Sequence, residues 1–119
     1  MEKTILLVDD EDDTREILAR AIGRKGVKVL SAECGQKGID LYKEHKPACV
    51  FLDVKLPDIE GPEVLKKMKE VDPQAKVYFM TGVSNEDYAL QQEAKELGAA
   101  GYLGKPILIE DIFKIIDGL

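Results

Sequence analysis

Five polar side chains in this 119-residue chain stand where short apolar runs stop. Ile5-Leu6-Leu7-Val8 ends on Asp9-Asp10. Cys49-Val50-Phe51-Leu52 ends on Asp53. Val77-Tyr78-Phe79-Met80 ends on Thr81, and the run from Ala99 to Leu103 gives way to Gly104-Lys105-Pro106. A continuous apolar run of this length reads as a strand buried on both faces, the kind found in parallel sheets. In open α/β sheets, ligands bind outside the carboxyl ends of the strands. Asp9, Asp10, Asp53, Thr81 and Lys105 would then share one rim.

That set of groups points to a definite chemistry. Three neighbouring carboxylates repel, and some would take up protons unless a cation intervenes. A hard divalent cation with oxygen ligands, such as Mg²⁺, relieves the repulsion, and Mg²⁺ commonly adds phosphate oxygens to one or two carboxylates. A carboxylate is also a competent nucleophile toward phosphorus, giving an aspartyl phosphate. Phosphoryl transfer asks mainly for positioning and for neutralisation of spreading negative charge. The metal could serve one side, Lys105 another, and Thr81 could donate a hydrogen bond to a third oxygen. Taken singly, each residue has a plainer reading. Asp9 and Asp10 could cap a helix, Thr81 suits a turn, and Lys105 suits a solvated surface. Their joint arrival at one rim favours the shared role.

The elements that must position them alternate along the chain. After the first strand, Glu11, Asp12 and Asp13 suit the first turn of a helix, whose unpaired N–H groups carry partial positive charge. That helix is expected to run to about Lys25, with Ile17, Leu18, Ala21 and Ile22 on one face and Gly26 as its stop. Val27-Lys28-Val29-Leu30 alternates partly and reads as a less buried, edge-type strand. A helix from about Gln36 to His45 turns Ile39 and Tyr42 inward. Pro62 suits the first position of a third helix, which faces Val64, Leu65, Met68 and Val71 inward and ends at Asp72-Pro73. Ser84 and Asp87 have the spacing of a helix N-cap, and that helix runs to Leu97 and Gly98. A last helix spans about Leu108 to Asp117. Five strand–helix repeats predict a parallel sheet with helices on both faces and right-handed crossovers.

Composition bounds the function. The length suits one domain, residues 1–119, with no output domain in the chain. At 45% hydrophobic and 34% charged, the chain can bury a core and stay in solution. It has no apolar stretch near the ~20 residues that span a bilayer, and Met1-Glu2-Lys3-Thr4-Ile5 lacks a signal-peptide core, so a cytoplasmic location is expected. A net charge of −6 argues against direct nucleic-acid binding. Cys34 and Cys49 read as reduced thiols. His45, the sole histidine, reads as a helix-end residue.

Asp9-Asp10 after the first strand, Phe51-Leu52-Asp53-Val54-Lys55-Leu56-Pro57-Asp58-Ile59-Glu60-Gly61 through the third, Met80-Thr81-Gly82 after the fourth and Gly101-Tyr102-Leu103-Gly104-Lys105-Pro106 at the fifth arrive in a telling order. Together they resemble the receiver domain of two-component response regulators, over essentially the whole chain. The resemblance implies a flavodoxin-like (β/α)5 fold, a doubly wound five-stranded parallel sheet of order 2-1-3-4-5. It implies that Asp53 is the phosphoacceptor, that Asp9 and Asp10 hold Mg²⁺ (Mn²⁺ being an alternative) together with Asp53, and that the Lys55 backbone carbonyl completes the protein ligands. Thr81 resembles the switch hydroxyl, Tyr102 the switch aromatic and Lys105 the phosphate-binding lysine. The Lys105-Pro106 bond resembles the family's cis peptide. Lys55 and Val83 occupy the two positions that tune lifetime in the family. Neither suits the positioning of a water, so slow self-dephosphorylation is expected.

The implied partners are a sensor histidine kinase or a histidine phosphotransfer protein, and an output protein or domain. The chain would be a stand-alone receiver or the N-terminal piece of a longer regulator. It would catalyse its own phosphorylation and dephosphorylation without turning over an external substrate. The expected output surface is the fourth helix, fifth strand and fifth helix. On the last helix Ile109, Ile112, Phe113 and Ile116 form an apolar stripe, widened by Leu108, Ile115 and Leu119. Ordinary burial or a homodimer contact would each explain it. Two rivals are weaker. A haloacid-dehalogenase-type phosphatase needs a second Asp where Lys55 stands. A flavin or nucleotide domain needs a glycine-rich loop where Asp9-Asp10 would repel phosphate.

Overall fold

The computed structural model describes residues 3–119. Ten elements follow one another: β1 (Thr4–Val8), α1 (Asp12–Gly23), β2 (Lys28–Ala32), α2 (Gly35–His45), β3 (Cys49–Asp53), α3 (Gly61–Val71), β4 (Val77–Thr81), α4 (Asn85–Glu96), β5 (Gly101–Gly104) and α5 (Ile109–Asp117). The five strands form one parallel sheet in the order β2-β1-β3-β4-β5. This is the doubly wound flavodoxin-like arrangement expected from the alternating pattern.

Successive strand residues face opposite sides, and here both sides are buried. Leu6, Val8, Val50, Leu52 and Phe79 join Ile39, Val64, Leu65 and Met68 in one core, contributed by α2 and α3. Ile5, Leu7, Cys49, Phe51 and Met80 join Leu18, Ile22, Ile112 and Ile116 in the other, contributed by α1 and α5. That double burial is why β1 and β3 are apolar at consecutive positions. Truncating a side chain such as Phe51 to Ala would cost about 3–5 kcal/mol. Cys49 lies wholly inside, where burial pushes its thiol up to about 12, so it stays an uncharged packing group.

Several boundaries move by a few residues. The first helix ends at Gly23 instead of Lys25, and Gly26 takes up the turn with φ of 77°. β2 is shifted to Lys28–Ala32, with Ala32 buried and Lys28 exposed, as befits an edge. β5 starts only at Gly101, where an added Cβ would come within 3.0 Å of the Tyr78 ring. Ile17 is not on the core face. It is 66% exposed, because α1 docks through Leu18 and Ile22, one turn apart, and rotates Ile17 out of the core.

The last helix buries Ile112 and Ile116 and half-buries Ile109, Phe113 and Ile115, leaving Leu108 exposed. No helix among the described residues is long and apolar enough to cross a membrane.

Candidate functional site

Four of the five strands, all but β2, deliver a polar residue at the carboxyl edge of the sheet. Asp53 is the last residue of β3 and only 4% exposed. Its Oδ1 accepts the Lys55 backbone N–H at 3.1 Å, and its Oδ2 accepts the Lys105 ammonium at 2.8 Å. Asp9 follows β1 and is fully buried. Its Oδ1 accepts the Glu11 N–H at 2.9 Å, whereas Oδ2 has no hydrogen-bond partner among the described residues. Asp10 beside it is exposed. One oxygen from each of Asp9, Asp10 and Asp53 lies within 4.8 Å of the others.

A cleft of about 300 Å³ opens over these groups, lined by Asp10, Glu11, Asp53, Lys55, Gly82, Asp87 and Lys105. Burial pushes the Asp53 carboxyl above the ordinary carboxylate range. Lys105 and the Lys55 amide oppose that rise, and the Asp10 charge adds to it. Burial likewise raises Asp9, against the Glu11 amide and with the help of the Asp53 charge. Burial works to lower Lys105, but its hydrogen bond to Asp53 and the surrounding acids carry it above an ordinary lysine. The cluster therefore holds more negative charge than its own cations neutralise.

The other candidate residues surround this centre. Thr81 ends β4, is buried, and directs its hydroxyl to the Gly82 carbonyl at 3.3 Å. The Thr81 carbonyl accepts the Lys105 N–H at 2.8 Å, which pins the lysine's backbone to the neighbouring strand end. Lys105-Pro106 is a cis peptide. Tyr102 is half-buried and lies away from the cleft, its ring 6.5 Å from Phe79 and its hydroxyl donating to the Gln91 carbonyl on α4. Val83 is almost wholly exposed. It borders an adjoining apolar hollow of about 580 Å³, with Ile17, Leu18, Pro106 and Ile107.

Four features were not foreseen. The Lys55 side chain reaches sideways, placing its ammonium 3.2 Å from Ser84 Oγ and 3.6 Å from carboxylate oxygens of Glu86 and Asp87. Asp87, already suggested by its spacing as a cap partner, also lines the cleft. Asp58 closes the start of α2, its two oxygens accepting the Gly35 and Gln36 N–H groups at 2.8 and 2.9 Å. Gly61 is demanded by space. A Cβ there would stand 2.7 Å from the Phe79 ring and 2.8 Å from the Val54 Cα.

Comparison with known proteins gives one consistent answer. The profile of the response regulator receiver domain matches residues 5–117. The chain is 36% identical over 112 residues to sporulation initiation phosphotransferase F of Bacillus subtilis, covering 94% of this chain and 89% of that protein. It is 38% identical over 111 residues to the positive alginate biosynthesis regulatory protein of Pseudomonas aeruginosa, covering 91% of this chain but 43% of that longer protein. The crystal structure of a CheY-like response regulator receiver domain protein from Methanospirillum hungatei superposes with a TM-score of 0.88 at 28% identity, over 99% of this chain and 93% of that one.

Proposed function

The chain belongs to the response regulator receiver domain family of two-component signalling systems, and we propose that it accepts a phosphoryl group on Asp53 from the phosphohistidine of a histidine kinase or phosphotransfer protein. The observation that carries this reading is the acidic cluster. A buried acid bonded to Lys105 at 2.8 Å sits among carboxylates that are left under-neutralised.

Asp53 attacks phosphorus, the phosphorus–nitrogen bond of the donor breaks, and its electron pair returns to the imidazole. Asp9, Asp10, Asp53 and the Lys55 carbonyl would hold Mg²⁺. The fit is supported by the three acid oxygens within 4.8 Å of one another and by the buried, unpartnered Asp9 Oδ2. Bound there, the ion supplies neutralisation of the transferring oxygens. Lys105 neutralises another phosphoryl oxygen, and its backbone tie to Thr81 keeps it in place. Thr81 turns its hydroxyl from the Gly82 carbonyl to the phosphoryl group, a local step that adds a charge-assisted bond. Tyr102 then follows from its Gln91 contact, and the α4–β5–α5 surface changes for an output partner. Phosphorylation adds roughly −1.5 to −2 charge, which biases that two-state surface.

Intact mass after incubation with Mg²⁺ and acetyl phosphate tests the reading. One added phosphoryl group that requires Mg²⁺ and is absent from Asp53→Ala is the expected result. Absence of both a mass increase and beryllofluoride binding would overturn it. Lys55 and Val83 offer no group to position an attacking water, so the phosphorylated form should be long-lived. Lys55→Asn should shorten that lifetime several-fold, and an unchanged decay rate refutes this role. Sedimentation with and without beryllofluoride tells an output protein from a second copy as the occupant of the α4–β5–α5 face, since only a second copy raises the mass.

A further inference from the structure

The Lys55 ammonium is displaced from the acids it is nearest to in sequence. Its backbone N–H bonds Asp53, yet its side chain pairs with Ser84, Glu86 and Asp87 at the start of α4 and with no member of the Asp9–Asp10–Asp53 cluster. The receiving group is built for the purpose. Asp87 Oδ2 accepts the Ser84 hydroxyl at 2.6 Å and the Ser84 N–H at 3.2 Å, and stands 3.6 Å from the ammonium. Ser84 Oγ in turn accepts the Asp87 N–H at 3.1 Å, completing the capping box of α4. Asp87 is 7% exposed, and the backbone at Gly82 is held so near it that a Cβ would lie 2.8 Å from the same Oδ2. Lys55 and Asp87 line the same cleft as Asp53 and Asp10.

We propose that Asp87 is a positioning residue acting through Lys55. With Ser84 and Glu86 it holds the Lys55 ammonium at the lip of the acidic cleft, clear of the cation site, and yields it to the phosphoryl group once Asp53 is modified. The first half concerns charge alone. A free ammonium on a four-carbon stem would fall into a cleft rich in carboxylates and compete with a divalent cation there. The second half rests on phosphoryl acceptance by Asp53. A phosphoryl group with roughly −1.5 to −2 charge offers the lysine short charge-assisted bonds in place of its two 3.6 Å carboxylate contacts. Removal of the ammonium takes away its bridge from the β3–α3 connection to the capping box, and the first turn of α4 loosens. The phosphorylation signal thereby reaches α4 by a route separate from Thr81 and Tyr102.

A double-mutant cycle on the full chain tests it, with Asp87→Asn, Lys55→Met and the pair together. Mg²⁺ binding is read by calorimetry without phosphodonor, so this arm stands whether or not Asp53 is the acceptor. Asp87→Asn should weaken Mg²⁺ by about three- to fivefold, the scale of one partly exposed charge pair. The same change in the Lys55→Met background should have no effect. An equal loss in both backgrounds means that Asp87 acts by its own field, and overturns the proposal. Amide exchange at Asp87 and Tyr88 is the second readout. Beryllofluoride with Mg²⁺ should speed it in the wild-type chain and leave it unchanged in Lys55→Met. An equal acceleration in both overturns the hand-over. Lys55→Met removes only a partly exposed ammonium, so the amide-exchange arm stays readable if Asp87→Asn misfolds.

Discussion

Two pairs of aspartates in this molecule behave oppositely. Asp9 and Asp53, on the rim of the sheet, have carboxyls pushed above the usual range, with burial the largest cause. Asp58 and Asp87, at the starts of α2 and α4, sit below it. The Ser84 hydroxyl is the leading cause for Asp87. For Asp58 burial is the largest single cause and works upward, but the backbone amides, Gln36 and Gly35 foremost, together outweigh it. The second pair has found its donors within the chain. The first pair has found them only in part: Asp53 and Asp9 Oδ1 are bonded, but Asp9 Oδ2 has no donor among the described residues, and the nearest groups include further acids. Helix starts supply N–H groups and partial positive charge to whatever acid reaches them. The rim supplies one lysine for three carboxylates. Stability is built at the caps, and the rim gives some up to keep its charge available for a ligand.

The sharpest way to break this contrast is to neutralise the rim. Asp9→Asn should reduce Mg²⁺ affinity by about 10- to 100-fold, on the scale of losses when a metal site's supporting groups are removed. The same variant should melt higher than the wild-type chain when a chelator is present, since a buried, unpartnered charge is gone. Calorimetric titration and a thermal melt give both values. A lower melting temperature would mean that Asp9 is satisfied after all.

Neutralising a cap should do the reverse. Asp58→Ala should cost about 1–2 kcal/mol in urea unfolding, the scale of a lost N-cap, while acetyl phosphate still adds one phosphoryl group. A loss of phosphorylation without a loss of stability would erase the distinction between the two pairs.

The smallest effect is in the pH profile. The folded-state pKa values of Asp58 and Asp87 are lowered, so these caps bind fewer protons folded than unfolded. Their contribution is full above the ordinary carboxylate pKa and fades as pH falls through the lowered folded values. Urea midpoints measured on descending pH should therefore drop on the acid side of the usual aspartate range. Asp58→Ala should flatten part of that drop. An unchanged slope would place the acid sensitivity elsewhere.

The architecture was legible because burial on both faces leaves an unmistakable trace in sequence. Cys49 to Leu52 has no polar residue until the chain reaches the rim, and the same holds for β1. The cluster of Asp9, Asp10, Asp53 and Lys105 was legible for a related reason, since in a parallel sheet all strand ends lie on one side. What escaped was tertiary. Asp58 caps a helix that begins 23 residues earlier in the chain, and no local spacing encodes that. A hint was present: Cys34 at the α2 N-cap is a poor capping residue, and its side chain makes no cap bond, so the cap had to come from elsewhere. Gly61 reads only as the end of the Asp53 motif, although its reason is the Phe79 ring against it. Ile17 satisfies the helical period of α1 but lies outside the arc that docks. Lys55 reads as a backbone ligand and a lifetime-tuning position, and nothing in its neighbours reveals that it leans on α4.

The two outer strands have a consequence of another kind. An edge strand offers unpaired N–H and C=O groups to any other chain that can lie alongside. β2 presents Lys28 and Ser31 outward over only five residues. β5 has four residues, two of them glycine, with Gly101 closed in by the Tyr78 ring. Neither edge is a good template for strand addition. A protein with such fully apolar inner strands would be prone to sticking to its own copies during synthesis and at high abundance. These blunt borders close off one route to such sticking.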